Sequence, residues 1–370
     1  MINNESSELN QADSMADPNY KTFKILLILE SFKRNDRVAL RSYSTSAGGF
    51  LENSLRAKIW TKLANLEDQN AFGRGDADSD DENKFSIDSL SVQSNENYRQ
   101  VILDVERSLK RFPPSVEEMQ RISYQDSLTK LIILILNKNP FLNYYQGYHD
   151  ICLTFLLIMD EFKASRLIER ISLSHLKYYM EKTMQTTSDL LDLIYFILKQ
   201  EDFELHDYLI RSEVGTIFSL SWVITWFSHV LTNLDDILRL FDFFISTHFL
   251  MPIYLTVSIL LYKKSEILTI DCEMASMHKF LTSIPEHHPL PIDQLVHRTL
   301  MLSIKYPPED TLLKHKEYCT TKNDSNPEQN FSLIQKFLIG NKIISLAFVG
   351  LFTACAYQYF YDYIFHSQSR

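Results

Sequence analysis

Residues 101–114 read VILDVERSLKRFPP, a pattern that predicts an amphipathic helix ending at the two prolines, because proline cannot continue a helix interior. Val101, Asp104 and Arg107 follow one another at steps of three and should lie near one face. A carboxylate one turn before an arginine can hold the guanidinium in one pose while its forked tip stays free. On this stretch alone, a surface salt bridge worth a few tenths of a kcal/mol is the competing interpretation.

A second polar motif follows about thirty residues later, where residues 143–150 read NYYQGYHD after a helix end predicted at Pro140. Gly147 permits a tight backbone approach or an unusual φ. The Gln146 amide should therefore project from the loop that enters the next helix, braced by Tyr144. Taken alone, a tyrosine-rich loop whose amide satisfies local backbone groups explains the motif equally well.

The composition favours a helical fold. The chain has 370 residues, 45% of them hydrophobic, with 24 Phe and 19 Tyr to fill a core but only 8 Gly and 11 Pro for tight turns. Its apolar residues recur at helical spacing, and no segment alternates apolar and polar residues as a half-buried strand would. These features predict an all-α protein of about twelve helices.

Several helix boundaries can be predicted individually. Asp36 should cap a short helix that runs through Tyr43, and Asn53 should cap a helix that ends near Leu63. The apolar spacing of residues 213–231 predicts one continuous helix.

Charge and cysteine content exclude some classes of function. The net charge of −10 argues against a general nucleic-acid binder. Residues 67–84 hold seven acids against two bases, so we interpret residues 67–97 as a solvated acidic insertion. The four cysteines form no CxxC, and no HExxH occurs, so we expect neither a metal site nor a disulfide framework.

The two termini differ sharply. Residues 1–20 are polar and acidic, which is not typical of a secretory signal. Residues 343–361, IISLAFVGLFTACAYQYFY, carry no charge and could cross about 30 Å of hydrocarbon as a helix. A buried core helix is the alternative for this segment. We expect a membrane tail anchor, with the body of the protein on the cytosolic side.

The two polar motifs together resemble the paired motif of the TBC-domain Rab GTPase-activating proteins, whose usual forms are I-x-x-D-x-x-R and Y-C-Q-G. Here Val101 stands in place of Ile and Tyr145 in place of Cys. Arg56 and Trp60 are similar to the R-x-x-x-W block of that family, and residues 222–227 to its W-F block. In residues 240–244, similar to the W-D-x-F block, Phe241 stands in place of Trp. The resemblance covers residues 47–304 in the order found in the family.

The resemblance implies a TBC fold of two helical subdomains that binds a GTP-bound Rab small GTPase. Arg107 would act as an arginine finger and Gln146 as a glutamine finger, supported by Asp104, Tyr144 and Gly147. Further contacts to the Rab would come from Arg56, Arg111 and Tyr148. The protein would need no cofactor or metal of its own, since GTP and Mg²⁺ would arrive with the Rab.

Residues 104–113, 144–150, 220–227 and 250–254, with the C-terminal apolar segment, are similar to the endoplasmic-reticulum-anchored branch of this family. That branch implies a protein of the endoplasmic reticulum membrane acting on Rabs of early secretory (ER–Golgi) traffic. The expected layout is a disordered N-terminus (1–18), a TBC domain (19–304), a linker and juxtamembrane segment (305–341), a transmembrane helix (342–364) and a lumenal stub (365–370).

Two other functions remain open at this point. A TBC fold can capture a Rab as a catalytically silent scaffold or effector. A membrane enzyme of another kind could use His149 and Asp150, or Cys272, as catalytic groups, although neither has a partner at a readable spacing.

Overall fold

The computed structural model describes residues 18–64, 66, 92–111 and 118–325 of the chain. Within these ranges every regular element is helical, and no strand is formed. The predicted all-α class is therefore confirmed.

The first seven helices include the segments that carry both polar motifs. Their bounds are α1 (Pro18–Lys33), α2 (Arg37–Thr45), α3 (Asn53–Leu63), α4 (Tyr98–Arg111), α5 (Glu118–Lys138), α6 (Tyr148–Leu156) and α7 (Glu161–Ser174).

The remaining helices form the rest of the described fold. Their bounds are α8 (Gln185–Leu191), α9 (Leu193–Glu201), α10 (Phe203–Arg211), α11 (Leu220–Ile224), α12 (Leu234–Ser246), α13 (Met251–Tyr262), α14 (Lys264–Ile267), α15 (Met274–His287), α16 (Ile292–Lys305) and α17 (Pro308–Ser325). A short 3₁₀ turn, Ile217–Ser219, precedes α11.

The core is organised around α12 and α13. Every residue of α13 from Met251 to Leu261 is buried, and this helix packs against α9, α11 and α16. Helix α12 packs against α2 and α3 from early in the chain and against α16 from late in it. The helices as far as Leu312 therefore form one compact unit, and its division into two helical subdomains stays a prediction.

Two predicted helix starts can be compared with the structure. Asp36 caps α2, and its carboxylate accepts from the backbone N–H of Ala39 at 2.9 Å, as predicted. Helix α3 begins at Asn53 and has Glu52 as its N-cap residue, which makes no side-chain cap bond. The Asn53 side chain instead accepts from Nη1 of Arg56 at 2.8 Å, so the predicted Asn53 cap is wrong by one residue.

The continuous helix predicted for residues 213–231 is wrong. The chain forms the 3₁₀ turn and the short helix α11, then turns sharply, with Trp226 at φ 52° and Phe227 at φ 65°. Both are left-handed conformations that large side chains rarely adopt. Both aromatic side chains are buried, so tertiary packing overrides the helical spacing of the sequence.

Several predicted segments lie wholly or partly outside the described residues. These are the N-terminus, most of the acidic insertion and the apolar segment at 342–364. No helix in the described part of the chain is long and apolar enough to cross a membrane. Helix α17 occupies the start of the predicted linker, because Pro308 suits a first helical turn and Glu309 and Asp310 complement the helix dipole there.

Candidate functional site

Helix α4 carries two parallel rows of buried side chains at a spacing of four residues. Val101, Val105 and Leu109 are buried and anchor the helix in the core. Asp104 and Ser108 form a second, buried polar row beside them. Positions three apart turn by about 300° around a helix. The series Val101, Asp104 and Arg107 therefore rotates from the core towards solvent and does not keep to one face as predicted.

Arg107 projects into solvent from this helix while its partner is buried. The side chains of Arg107 and Asp104 are 66% and 1% exposed, and Nη1 of Arg107 lies 3.6 Å from Oδ1 of Asp104. Oδ1 makes no hydrogen bond, so this acceptor faces the guanidinium without another bonded partner. The carboxylate can limit the directions that the exposed guanidinium takes.

The other oxygen of Asp104 connects helix α4 to the second motif. Oδ2 accepts from the Gln100 amide at 2.9 Å and from the Tyr144 hydroxyl at 3.1 Å. Burial, and then the Asp104 carboxylate, raise the pKa of Tyr144 well above its usual value. The phenol therefore stays protonated and can remain a hydrogen-bond donor to Asp104.

Tyr144 also reaches inward to His149. Its hydroxyl lies 2.9 Å from Nδ1 of His149, on the first turn of α6. The same ring nitrogen accepts from the backbone N–H of Gly147 at 3.4 Å. The other ring nitrogen, Nε2, faces Asp150, whose Oδ1 is 3.5 Å away.

Gln146 lies at the exposed end of the turn that enters α6. The next residue, Gly147, is the helix N-cap at φ 108°, a conformation that favours glycine. A Cβ at this position would lie 2.6 Å from Cγ2 of Thr225. Gly147 is thus required twice, for its backbone angle and for close approach, and it presents the preceding glutamine to solvent as predicted.

The Gln146 turn rests on residues 222–229, which we name the support segment. The Tyr145 hydroxyl donates to the backbone carbonyl of Ile224 at 2.7 Å, and Thr225 lies against Gly147. This segment contains the two left-handed aromatic residues, each of which costs about 1–3 kcal/mol in backbone strain. Their rings pack on Phe241 and Phe244 of α12, which holds the strained turn in place.

Asp150 forms a buried polar centre below the turn. Oδ1 accepts a hydrogen bond from the Ser108 hydroxyl of α4, and Oδ2 lies 2.7 Å from Nδ1 of His229. Burial alone would raise the pKa of this carboxyl. His149, His229 and Ser108 outweigh burial and lower the pKa of Asp150 well below its usual value, so Asp150 remains a carboxylate.

Arg56, predicted to contact a partner, is buried instead. Its Nε lies 3.1 Å from both oxygens of Asp242 on α12. The same carboxylate accepts from Nε1 of Trp60 at 2.8 Å and from the backbone N–H of Phe50 at 3.0 Å. The R-x-x-x-W and F-D-x-F segments therefore meet in the core. The predicted Rab contact of Arg56 is wrong, because its guanidinium is buried and paired with Asp242.

The predicted Rab contact of Tyr148 is also wrong. Its side chain is fully buried, and its hydroxyl lies 2.7 Å from the Ser172 hydroxyl. It therefore has no surface to offer a partner. Arg111 is the last residue of α4, and its side chain lies outside what the structure describes, so its predicted contact stays a prediction.

The groups considered for a different enzyme are not arranged as a catalytic pair. Cys272 is exposed, with its sulfur 3.6 Å from the backbone carbonyl of Tyr208. His149 and Asp150 are buried and connect the two motif-bearing elements. Sequence reasoning missed His229 as the partner of Asp150, 79 residues away. The available signal was an aspartate inside an almost wholly apolar helix, because a buried charge needs a partner.

The site thus places an exposed arginine and an exposed glutamine on two elements joined by buried polar contacts. The Rab-GTPase-TBC domain model matches residues 53–268, more than half of the chain. The chain therefore belongs to the Rab-GTPase-TBC domain family, as the motif resemblance implied.

Named relatives agree with this assignment. The chain is 44% identical over 275 residues to TBC1 domain family member 20 of Homo sapiens, an alignment covering 74% of this chain and 65% of that protein. It is 31% identical over 254 residues to GTPase-activating protein gyp10 of Schizosaccharomyces pombe, covering 68% and 64%. The chain therefore spans less than two thirds of the length of each relative.

The fold agrees with a solved structure of the same family. The TBC domain of the Chlamydomonas flagellar RabGAP superposes with a TM-score of 0.58 at 12% identity, covering 80% of this chain and 94% of that one. At this identity the likeness shows the fold alone, which is the TBC fold predicted from the motifs.

Proposed function

We propose that this protein stimulates GTP hydrolysis by a Rab small GTPase, to which it supplies Arg107 and Gln146. The observation that carries the proposal is the way the two exposed side chains are held. Arg107 stands next to the buried Asp104, and Gln146 follows Tyr144, whose hydroxyl donates to the same Asp104. Two exposed polar side chains with a shared buried anchor suit a site that engages a second molecule.

The chemistry explains why an arginine is needed. In GTP hydrolysis, negative charge spreads over the phosphoryl oxygens, and catalysis depends on positioning and electrostatic stabilisation. The guanidinium of Arg107 would neutralise that charge with two directed hydrogen bonds, which a lysine cannot supply. Such a residue supplied in trans accelerates hydrolysis by about 10³–10⁵-fold, roughly 4–7 kcal/mol of barrier.

The amide of Gln146 suits the attacking water. Its oxygen can accept a hydrogen bond from the water while its NH₂ donates to a phosphate oxygen, and the amide does not change its charge. Gly147 and the support segment brace the turn on which Gln146 lies. The side chain would therefore lose little conformational entropy when a partner binds. GTP and Mg²⁺ belong to the Rab, as substrate.

Names of the relatives support this activity. Gyp10 is called a GTPase-activating protein, and the family description names Rab GTPases.

For the compartment, the proposal is the endoplasmic reticulum membrane with Rabs of early secretory traffic. That part rests on the motif resemblance and on the apolar residues 343–361. Removal of residues 340–370 should release the protein from a membrane pellet, and persistence in the pellet would contradict the anchor.

A panel of purified, GTP-loaded Rabs tests the activity. The full 370-residue chain should accelerate single-turnover hydrolysis by at least one of them, and Gln146→Ala should reduce that acceleration ten-fold or more. The matched control is Gln200→Ala, since Gln200 is also exposed and bonds only locally, to the Phe196 carbonyl. Rab binding without acceleration by the unaltered chain would favour the silent scaffold, and no binding would overturn the proposal.

A further inference from the structure

The element carrying Arg107 and the element carrying Gln146 are joined at two points. The outer contact is the hydrogen bond from Tyr144 to Asp104. The inner contact is the hydrogen bond from Ser108 to Asp150. Asp104 and Ser108 lie one turn apart on α4, on either side of Arg107 in sequence. Tyr144 and Asp150 likewise lie on either side of Gln146. The two contacts therefore fix the turn relative to the helix.

The support segment also contacts Asp150, the acceptor of the inner contact. Asp150 is buried, and each of its oxygens has a partner on a different part of the chain: Ser108 on α4 for Oδ1, and His229 at the end of the support segment for Oδ2. The neighbouring His149 faces the same carboxylate at 3.5 Å. One carboxylate thus connects helix α4, the start of α6 and the support segment.

The conformation of the support segment brings His229 to Asp150. After Thr225 the chain forms a turn in which Trp226 and Phe227 have left-handed conformations. As a result, Thr225 lies under Gly147 while His229 returns to Asp150. A continuous helix through this segment would not contain that turn. Because strained backbone persists only where the surroundings enforce it, the packing on α12 is what sustains the contact.

We propose that Asp150 and His229 are positioning residues, which keep the Gln146 turn in register with the helix that carries Arg107. They would touch neither nucleotide nor Rab. This inference rests on the proposed function, because it assigns the two residues to the same catalytic step. A misplacement of about 1 Å in a reacting group can lower a rate about a hundred-fold, so a contact behind the site can matter to the rate without contributing to affinity.

The test separates rate from affinity. With the full chain and the Rab on which the unaltered protein acts, His229→Ala should lower the hydrolysis rate at saturation about ten-fold or more, while Rab affinity changes less than about two-fold. His229→Asn, which keeps a donor near the position of Nδ1, should recover most of the rate. A rate at saturation equal to that of the unaltered chain in His229→Ala would overturn the proposal.

The matched control is His288→Ala. His288 is about as exposed as His229, 30% against 33%, and also faces a carboxylate, that of Glu266 at 3.5 Å. It lies outside the site, and its removal should leave the rate unchanged. If His229→Ala fails to fold, His229→Leu and His229→Asn replace it. A slow Leu variant beside a near-normal Asn variant supports the proposal, and equal rates overturn it.

A double-mutant cycle identifies the residue through which His229 acts. In a Gln146→Ala background, His229→Ala should cause little further loss, because a residue that acts through another adds nothing once that residue is gone. Full additivity of the two losses would overturn the positioning role. Failure of the proposed function is distinguishable, since the unaltered chain would then accelerate no Rab.

Discussion

The hydroxyl of Tyr144 lies 3.1 Å from Oδ2 of Asp104, although the two residues are 40 positions apart. Asp104 is also the residue that faces Arg107, and Tyr144 is two positions before Gln146. One carboxylate therefore orients the arginine and anchors the glutamine turn together. Activity should depend on both anchors as well as on the two exposed side chains.

Arg107→Lys should lower the GTP hydrolysis that this protein stimulates in the Rab about 10³-fold or more, while Rab binding stays nearly unchanged. The ammonium keeps the charge but lacks the planar pair of donors. Single-turnover hydrolysis at saturating concentration measures the effect. Arg211→Lys is the control, because Arg211 is 59% exposed and pairs with an aspartate on its own helix at 2.9 Å. A near-normal rate for Arg107→Lys would remove Arg107 from the site.

Gly147→Ala should lower the free energy of unfolding more than Gly215→Ala does. Both residues have positive φ, which costs an alanine about 1–2 kcal/mol. A Cβ at Gly215 meets nothing within 4 Å, whereas one at Gly147 lies 2.6 Å from Cγ2 of Thr225. Urea denaturation of the two variants measures the difference, to which the close approach and the larger φ of Gly147, 108° against 62°, both contribute.

Thr225→Ser provides the internal check on that result. It removes the methyl group that obstructs a Cβ but keeps the hydroxyl that donates to the Ser221 carbonyl. Combined with Gly147→Ala, it should restore the part of the lost stability that the contact with the Thr225 methyl group causes. No restoration would mean that the backbone angle alone requires glycine at position 147.

Asp242→Asn should lower the free energy of unfolding by roughly 3–5 kcal/mol. The variant leaves the buried Arg56 guanidinium without its counter-charge, and the replaced group must still face the Trp60 indole. Chemical denaturation followed by circular dichroism measures the loss. Asp207→Asn, on an exposed ion pair, should change stability by less than about 1 kcal/mol. Equal losses in the two variants would contradict the role of Asp242.

Acid should destabilise the fold partly through His175. Burial lowers the pKa of His175 from 6.5 to about 4. As the pH falls below 6.5, the unfolded chain binds a proton that the folded protein does not, so stability present above pH 6.5 is lost towards pH 4. Urea denaturation at several pH values in this range should show that the free energy of unfolding falls less steeply with falling pH in His175→Gln than in the unaltered protein. Parallel curves for the two proteins would contradict the prediction.

Much of the fold follows from local patterns. The amphipathic pattern of residues 101–114 and its two prolines predict α4, and the Asp36 side chain predicts the start of α2. These features depend on residues within one or two turns of each other. Residues 213–231 carry an equally helical pattern, but packing on α12 places Trp226 and Phe227 in left-handed conformations. No spacing rule reveals that competition.

The candidate site was predictable only where the chemistry is local. Arg107 with Asp104, and Gln146 with Gly147, can be recognised within short motifs. Arg56 was misassigned to the surface because its partner Asp242 is 186 residues away. Tyr148 was misassigned despite starting a helix that is apolar almost all round. His229 was missed because an isolated histidine gives no sign of the carboxylate that it meets.

The contacts of α12 set the shortest fragment that can be expected to fold. Arg239 of α12 donates to the carbonyls of Ser44 and Ser46, and Asp293 of α16, which accepts from Arg239, also accepts from the backbone N–H of Gly48. All three partners precede residue 53, where the family match begins. In a fragment that begins at residue 53, the buried Arg239 would lack the Ser44 and Ser46 carbonyls to which it donates. A workable minimal domain should instead start before α2, so that Ser44, Ser46 and Gly48 are kept.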